Sequence, residues 1–424
     1  MAAIQMEKRV QSMVNWSDYQ LSVIIPAYNE EDGIAEILDR VLSIRPGLEE
    51  AHIAGPEVIV VDDGSKDRTP EIVKSYQNVR LIRHQKNRGY GGALKTGFAN
   101  AEGNLLSFLD ADGTYPPEHF PNLCRAVIEG ADMVVGSRMA GAKSEMPKTR
   151  RLGNLIFARL VSIIGNRKVT DSASGMRVFR REALERMYPL PDGLNFTPVM
   201  STRAIHEGLK MVEVPIPYSE RLGRSKLSVV KDGVRFLNSI VLTALSYNPV
   251  RILGLMGLAG VAFAAIVAAL LIVLRLSGVT QLGSLGIFVV FGALVLGVTG
   301  VSLFSLGAMF NHLVSLFQKR LVQGGLFGKR IFDPPLETHF GSLGTLAVAV
   351  GVTVAVVLLI VSLSGGTLEQ MWLWMIASAM ATLIGVQLIV ARVIMNVLGD
   401  LSQREIKQEQ DLQGNPIKPA SEPL

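Results

Sequence analysis

An intramolecular disulfide is closed to this chain, because its 424 residues contain a single cysteine, Cys124. A scaffold built on intramolecular bridges is excluded, and a reducing compartment is expected. Nothing in the first 20 residues resembles a cleavable leader, since they carry Glu7, Lys8, Arg9 and Asp18 and no apolar core. The N-terminal half is therefore expected in the cytosol. Two phosphate-loop fingerprints fail in the glycine-rich stretch 87-NRGYGGALKTG-97. A P-loop needs glycine immediately before the lysine, but Leu94 precedes Lys95 and Thr96, and a dinucleotide fingerprint needs its third glycine where Leu94 stands. ATPase and dehydrogenase readings are excluded on those grounds. Charge thins out too: charged residues pepper positions 1–251 and almost vanish from 252 to 318, which marks a domain boundary.

What the chain has in excess is apolar content, 49% of its residues, which is too much for a purely soluble protein. Four apolar stretches, 252–274, 284–310, 343–363 and 371–391, are each long enough to cross a hydrocarbon core of about 30 Å. The connections 276–283 and 364–370 lack Lys and Arg, whereas 311–342 carries Lys319, Arg320, Lys329 and Arg330. The positive-inside rule puts that loop, the N-terminal domain and the C-terminus in the cytosol. Arg275 is the one discordant charge, accommodated by snorkelling. The predicted layout is an N-terminal extension (1–20), an α/β domain (21–227), an interfacial juxtamembrane helix (228–249), a four-helix transmembrane domain (250–399) and a disordered polar tail (400–424). The net charge of +5 sits largely around the apolar segments and in one loop stretch. That pattern favours lipid headgroups or phosphorylated substrates over nucleic acid. Gly292, Gly297, Gly300 and Gly307 permit close helix contacts, within one chain or in a homo-oligomer.

From residue 21 to 136, short β-branched runs (21–25, 58–62, 79–83, 105–109 and 133–136) alternate with helical patterns, which predicts a parallel, doubly wound sheet. Ligands on such sheets bind beyond the carboxyl ends of strands. The loops there are 26-PAYNEE-31, with Asn29 read as a helix cap, and 62-DDGSKDRTP-70, with Thr69 and Pro70 read as cap and first helical residue. Asp62 and Asp63 are placed to receive the amide and hydroxyl donors of a nucleoside, although each loop alone reads equally as an Asx turn before a helix. After the buried run 105–109 comes 110-DADG-113, whose Asp110 and Asp112 can converge on one hard cation that also touches a diphosphate. Magnesium or manganese there would neutralise charge on a departing nucleotide. Asn87 and Arg88 are candidates to touch the same ligand. A basic series follows: Arg138, then Arg150, Arg151 and Asn154, then Arg177, then 221-RLGRSK-226 with Arg221 and Lys226. So many cations suit two phosphorylated substrates.

Taken together, 26–30, 62–69, 87–93, 110–113, 136–138, 171–177 and 221–226 resemble, in order, glycosyltransferase family 2. Within it they resemble the polyprenyl-phosphate glycosyltransferases typified by dolichyl-phosphate mannose synthase. The resemblance implies a GT-A α/β domain with a mostly parallel central sheet, followed by an all-α transmembrane domain of four helices. It implies a metal-dependent, inverting transfer of a hexose from a nucleotide diphosphate sugar, of the GDP-mannose or UDP-glucose type, to dolichyl or polyprenyl phosphate, for cell-surface glycan or glycoprotein assembly. It assigns Pro26, Tyr28, Asn29, Glu30, Asp62, Asp63, Asn87 and Ala111 to the nucleotide sugar, and Asp110 and Asp112 to its diphosphate and the Mg2+ or Mn2+. Arg221 and Lys226 grip the diphosphate, and Arg138, with Arg150 or Arg151, Asn154 and Ser174, takes the lipid phosphate. One departure is Thr114, where some relatives have a glutamine as a further metal ligand, so coordination leans on water or Glu30. A polysaccharide synthase would carry Gln-x-x-Arg-Trp near the interfacial helices, and neither Trp16, Trp372 nor Trp374 has that context.

Overall fold

The computed structural model describes residues 19–141, 144–219, 228–279, 282–318, 336–365 and 368–412. The extension 1–18, the motif 221-RLGRSK-226 with Arg221 and Lys226, and the loop cations Lys319, Arg320, Lys329 and Arg330 lie outside the described residues. The chain divides into two compact units, Met1–Ala244 and Leu245–Leu424.

The first unit is built on seven strands: β1 (Gln20–Ala27), β2 (Ala54–Asp62), β3 (Val79–Arg83), β4 (Leu105–Phe108), β5 (Met133–Ser137), β6 (Arg177–Arg180) and β7 (Met211–Pro215). They form one sheet in the order β3-β2-β1-β4-β6-β5-β7. Helices α1 (Ile34–Ser43), α2 (Arg45–Glu50), α3 (Thr69–Lys74), α4 (Tyr90–Asn100), α5 (Phe120–Ile128), α6 (Lys148–Gly165), α7 (Arg181–Met187), α8 (Phe196–His206) and α9 (Val229–Leu245) lie along the same chain. Strand side chains alternate between faces. Leu21, Val23 and Ile25 pack with Ile37, Leu38 and Val41 of α1 and with Phe120 and Leu123 of α5. Ile24, Ile59 and Phe108 pack on the other face with Leu94 and Phe98 of α4, Leu184 of α7 and Phe196 of α8. Hydrophobic layers on both faces are what a doubly wound sheet requires.

The sheet is mostly parallel, as the family resemblance implied: β6 runs antiparallel to both β4 and β5, and neither β6 nor β7 emerges from the sequence pattern. The four-residue run of β6, Arg-Val-Phe-Arg, is too short and too charged at its ends to show an alternation. Two corrections concern the helix starts. Asn29 is not the cap of α1; that place belongs to Gly33. Asn29 instead takes a left-handed backbone, φ +51°, and crosses to the neighbouring loop. Thr69 is the first residue of α3 and Arg68 its cap, one position from the expectation.

Among the described residues the second unit contains the α-helices α10 (Pro249–Leu276), α11 (Ser284–Gln318), α12 (Phe340–Leu363) and α13 (Leu368–Leu412). Four helical stretches, Pro249–Leu274, Ser284–Phe317, Leu336–Leu363 and Leu373–Leu401, are long and apolar enough to cross a membrane. α10 packs against α11 and α12 against α13 through glycines. A Cβ on Gly300 would lie 2.5 Å from the Gly257 carbonyl, and one on Gly385 2.6 Å from that of Gly344. Only backbone-to-backbone contact allows this. Gly292, singled out by the sequence, has open space instead. α13 continues to Leu412, into the segment expected to be a disordered tail, because 400-DLSQREIKQEQDL-412 is rich in good helix formers.

Candidate active site

The registers Ala27↔Asp62 and Ile24↔Phe108 bring the loops after β1, β2 and β4 to one edge of the sheet. The first two loops are zipped together. The Asn29 N–H donates to Ser65 Oγ and Asn29 Oδ1 accepts the Lys66 N–H, each at 2.9 Å. The Glu30 N–H donates to Thr69 Oγ1 at 2.9 Å. Asp62 is fully buried and accepts the Ser65 N–H at 2.9 Å, while Arg83 Nε lies 3.0 Å from its other oxygen. Asp63 reaches the third loop: its carboxylate accepts the N–H groups of Arg88 and Gly89, both at 2.8 Å, and contacts His84 Nδ1 at 2.7 Å. Gly89 is required here, because its φ is +90° and a Cβ would sit 2.6 Å from the Asp192 carbonyl. Pro26, Tyr28 and Glu30 are half-buried along this edge, and Asn87 is exposed, its Oδ1 accepting the Gly89 N–H at 3.1 Å.

A cavity of about 200 Å³ opens beside these loops and is lined by Asp110, Asp112, Arg138, Arg150 and Asn154. It brings together the acidic pair and three residues of the basic series. Asp110 Oδ1 accepts a hydrogen bond from Tyr90 Oη at 2.8 Å, and Asp112 Oδ1 accepts one from Thr114 Oγ1 at 2.6 Å. Burial, and then the Asp110 charge, hold the Tyr90 phenol well above its ordinary pKa, so it stays a donor. Gly175 keeps Asp110 accessible: a Cβ there would lie 2.6 Å from Asp110 Oδ2.

Among the described residues of the set, Arg138 makes a two-point ion pair. Its Nε and Nη2 donate to the two oxygens of the fully buried Asp171 at 2.7 and 2.8 Å. Its guanidinium carbon lies 5.7 Å from the centroid of the Tyr115 ring and 5.5 Å from that of Tyr218. Such contacts favour a cation between the rings. Burial opposes the charges, but the pairing overcomes it and holds the Asp171 carboxyl below the usual range and Arg138 above its own. Nη1 is the guanidinium nitrogen not committed to Asp171. Asn154 Nδ2 donates to the same Asp171 at 3.0 Å.

The structure divides the remaining candidates. Arg150 lines the cavity, whereas Arg151 is exposed and does not. Ser174, expected to bind the acceptor phosphate, is fully buried, and its hydroxyl donates to the Gly136 carbonyl at 2.6 Å. Its neighbours Ala173 and Gly175 line the cavity, and Ser174 itself does not. Arg177, read as one more phosphate-facing cation, is also fully buried and donates to the carbonyls of Ser174 and Ser172 at 3.1 and 2.8 Å. Burial pushes its pKa down to about 10, which leaves it charged at neutral pH as a fixed positive group under the site. Tyr90, Tyr115, Tyr218 and Asp232 line the cavity without having been singled out from the sequence. A tyrosine at a strand end carries no signal until the loops are assembled.

The two carboxylates on one cavity wall suit a hard divalent ion that keeps some water and completes its shell from substrate oxygens. Among the described residues no cluster of three or more His, Cys, Asp or Glu side chains offers a protein-only cage.

A mostly parallel seven-stranded sheet with its acidic loops at one edge is the GT-A fold of nucleotide-diphospho-sugar transferases. Residues 22–188 match the profile of glycosyl transferase family 2, and residues 249–409 match a domain of unknown function, DUF8752. The chain is 34% identical over 229 residues to a dolichyl-phosphate hexose transferase of Haloferax volcanii, covering 54% of this chain and 96% of that one. It is 35% identical to a dolichol-phosphate mannosyltransferase of Pyrococcus furiosus, covering 49% and 59%. Among solved structures, a glucosyl-3-phosphoglycerate synthase from Mycobacterium tuberculosis is similar at TM-score 0.44 and 20% identity, over 56% of this chain and 82% of that one. The protein belongs to glycosyltransferase family 2.

Proposed function

We propose that the protein transfers a hexose from a nucleotide diphosphate sugar to a polyprenyl phosphate, with inversion at the anomeric carbon. The observation that carries this reading is the single cavity that holds Asp110 and Asp112 together with Arg138, Arg150 and Asn154. Acidic and basic groups side by side suit a donor diphosphate next to an acceptor phosphate. The names of the relatives, a dolichyl-phosphate hexose transferase and a dolichol-phosphate mannosyltransferase, support the same pair of substrates.

In this account the nucleoside lies against the zipped loops 26–30 and 62–69, with Asp62 and Asp63 toward its base and ribose and Asn87 and Ala111 beside it. Asp110 and Asp112 would hold the Mg2+ or Mn2+, which offsets charge on the leaving diphosphate. Arg221 and Lys226 take diphosphate oxygens. The acceptor phosphate binds Arg138 through Nη1, aided by Arg150 and Asn154, over the fixed charge of Arg177. One of its oxygens attacks the anomeric carbon, a new carbon–oxygen bond forms, and the bond to the diphosphate breaks with its electron pair on the nucleotide. The acceptor is already anionic near neutral pH, so no strong general base is needed. Asp171 holds Arg138 in place and takes no proton. The four apolar helices embed the chain in the membrane that carries the lipid, with the catalytic unit and C-terminus on the cytosolic side.

The test is a split of kinetic constants. Arg138→Ala should raise KM for the lipid phosphate more than KM for the nucleotide sugar, and the reverse pattern would move Arg138 to the donor side.

A further inference from the structure

α6 presents two faces. Thr149, Arg150, Asn154 and Phe157 line the candidate active site, while Leu155, Arg159, Ser162 and Ile163, on the other side of the helix, line a second cavity of about 470 Å³ closed by Lys168 and Thr170. Nothing in the transfer reaction uses it. Neither Arg159 nor Lys168 has an ion pair or hydrogen bond among the described residues. The carboxylate of Glu213 reaches the same wall from β7, but it is engaged by the N–H groups of Thr170 and Asp171 and by the Thr170 hydroxyl. Around these cations the surface is oily: Leu152, Ile156 and Ile163 are 60%, 55% and 58% exposed. α9 packs on the active-site face of α6, its Phe236 ring lying 5.9 Å from Phe157. It too is turned inside out, with Asp232 buried and Val230, Val234 and Leu242 exposed. A surface that exposes branched apolar residues and unpaired cations together matches the boundary between acyl chains and anionic headgroups. The first candidate span begins at Pro249, a few residues after α9 in the chain.

We propose that this cavity binds the headgroup of an anionic phospholipid of the surrounding bilayer, with Arg159 and Lys168 on its phosphate and Leu155 and Ile163 against its first acyl carbons. The site is separate from the acceptor phosphate site and rests only on the membrane placement of the chain. Its occupant would fix α6, and with it Arg150 and Asn154, at a set depth.

The test uses the full chain in lipid nanodiscs made from mixed phosphatidylcholine and phosphatidylglycerol, with the lipids retained on the released protein counted by native mass spectrometry. The wild-type chain should retain phosphatidylglycerol over phosphatidylcholine. Arg159→Gln and Lys168→Gln should each lower that preference roughly fivefold, and Arg159→Lys should keep it. Transfer in pure phosphatidylcholine discs, measured alongside, should be unchanged by any of them, so failure of this site and failure of the transferase reading are told apart. No preference in the wild-type chain, or full preference in the double glutamine variant, would overturn the proposal. Competition by inorganic phosphate as strong as that by phosphatidylglycerol would overturn it as well, by making this a site for a free anion.

Discussion

In the first unit, Leu21, Val23 and Ile25 point to one face of the sheet and Ile24 to the other, and all four are shut away from solvent. In the second, Leu285 and Leu363 leave 78% and 82% of their surface exposed, and the most hydrophobic window of each candidate span is only 6% to 17% buried. The same residue types thus serve opposite ends. Water drives the first unit together, and its interior is dense enough to hold Asp171, Arg138 and Arg177 in fixed geometry. The second unit has no such drive once lipid surrounds it, and its helices meet instead through glycine backbones and a few polar bonds, such as Ser302 Oγ to Gln387 Oε1 at 2.9 Å. Chemistry belongs to the unit whose polar groups are locked.

That contrast can be broken or sharpened by substitution. The largest effect is expected from Asp112→Asn, which removes a charge from the cavity wall: turnover should fall about 10²- to 10³-fold with the fold intact, and a variant of near wild-type activity would remove the metal from the account. Next comes Asp171→Asn, which leaves Arg138 charged and buried without its partner, at a cost of about 3–5 kcal/mol in stability. This pair also sets a pH dependence. Because the folded carboxyl is held below its unfolded value of about 4, its stabilisation is complete above that pH and is lost as pH falls through the depressed folded value. Thermal midpoints across acid pH should show this limb in the wild type and not in the variant. Gly385→Val drives a side chain into the Gly344 backbone and should cost about 1–3 kcal/mol in the second unit. It should lower the thermal midpoint of the solubilised chain while leaving KM for the nucleotide sugar unchanged. The smallest effect belongs to Tyr218→Leu, which removes one ring beside Arg138 and should weaken the lipid phosphate by about 0.5–1 kcal/mol, read as a roughly two- to fivefold rise in its KM alone.

The two units were also unequally legible. Four apolar stretches announce the membrane helices by length alone, but length says nothing of which glycines touch, and Gly257, Gly344 and Gly385 emerged only from the packed helices. In the first unit the acidic loops could be read because they follow strongly β-branched runs, and Asp110 and Asp112 do meet Arg138 and Arg150 at one cavity. Arg177 misled because a charged residue is expected at a surface, whereas here backbone carbonyls solvate it in the interior. Asn29 misled for a different reason. An asparagine before an acidic run reads as a helix cap, yet its side chain and N–H are both used across loops 36 and 37 residues away in sequence, a pairing no local pattern encodes.

The measurement that tests the central claim most directly is transfer by the purified full chain. Polyprenyl phosphate, Mg2+ or Mn2+ and a panel of labelled nucleotide sugars are supplied, and label in the lipid fraction is followed with and without a chelator. The account predicts transfer from one hexose donor that stops when the chelator is added and returns with excess metal. Label that never enters the lipid from any donor, with the protein folded, would contradict it.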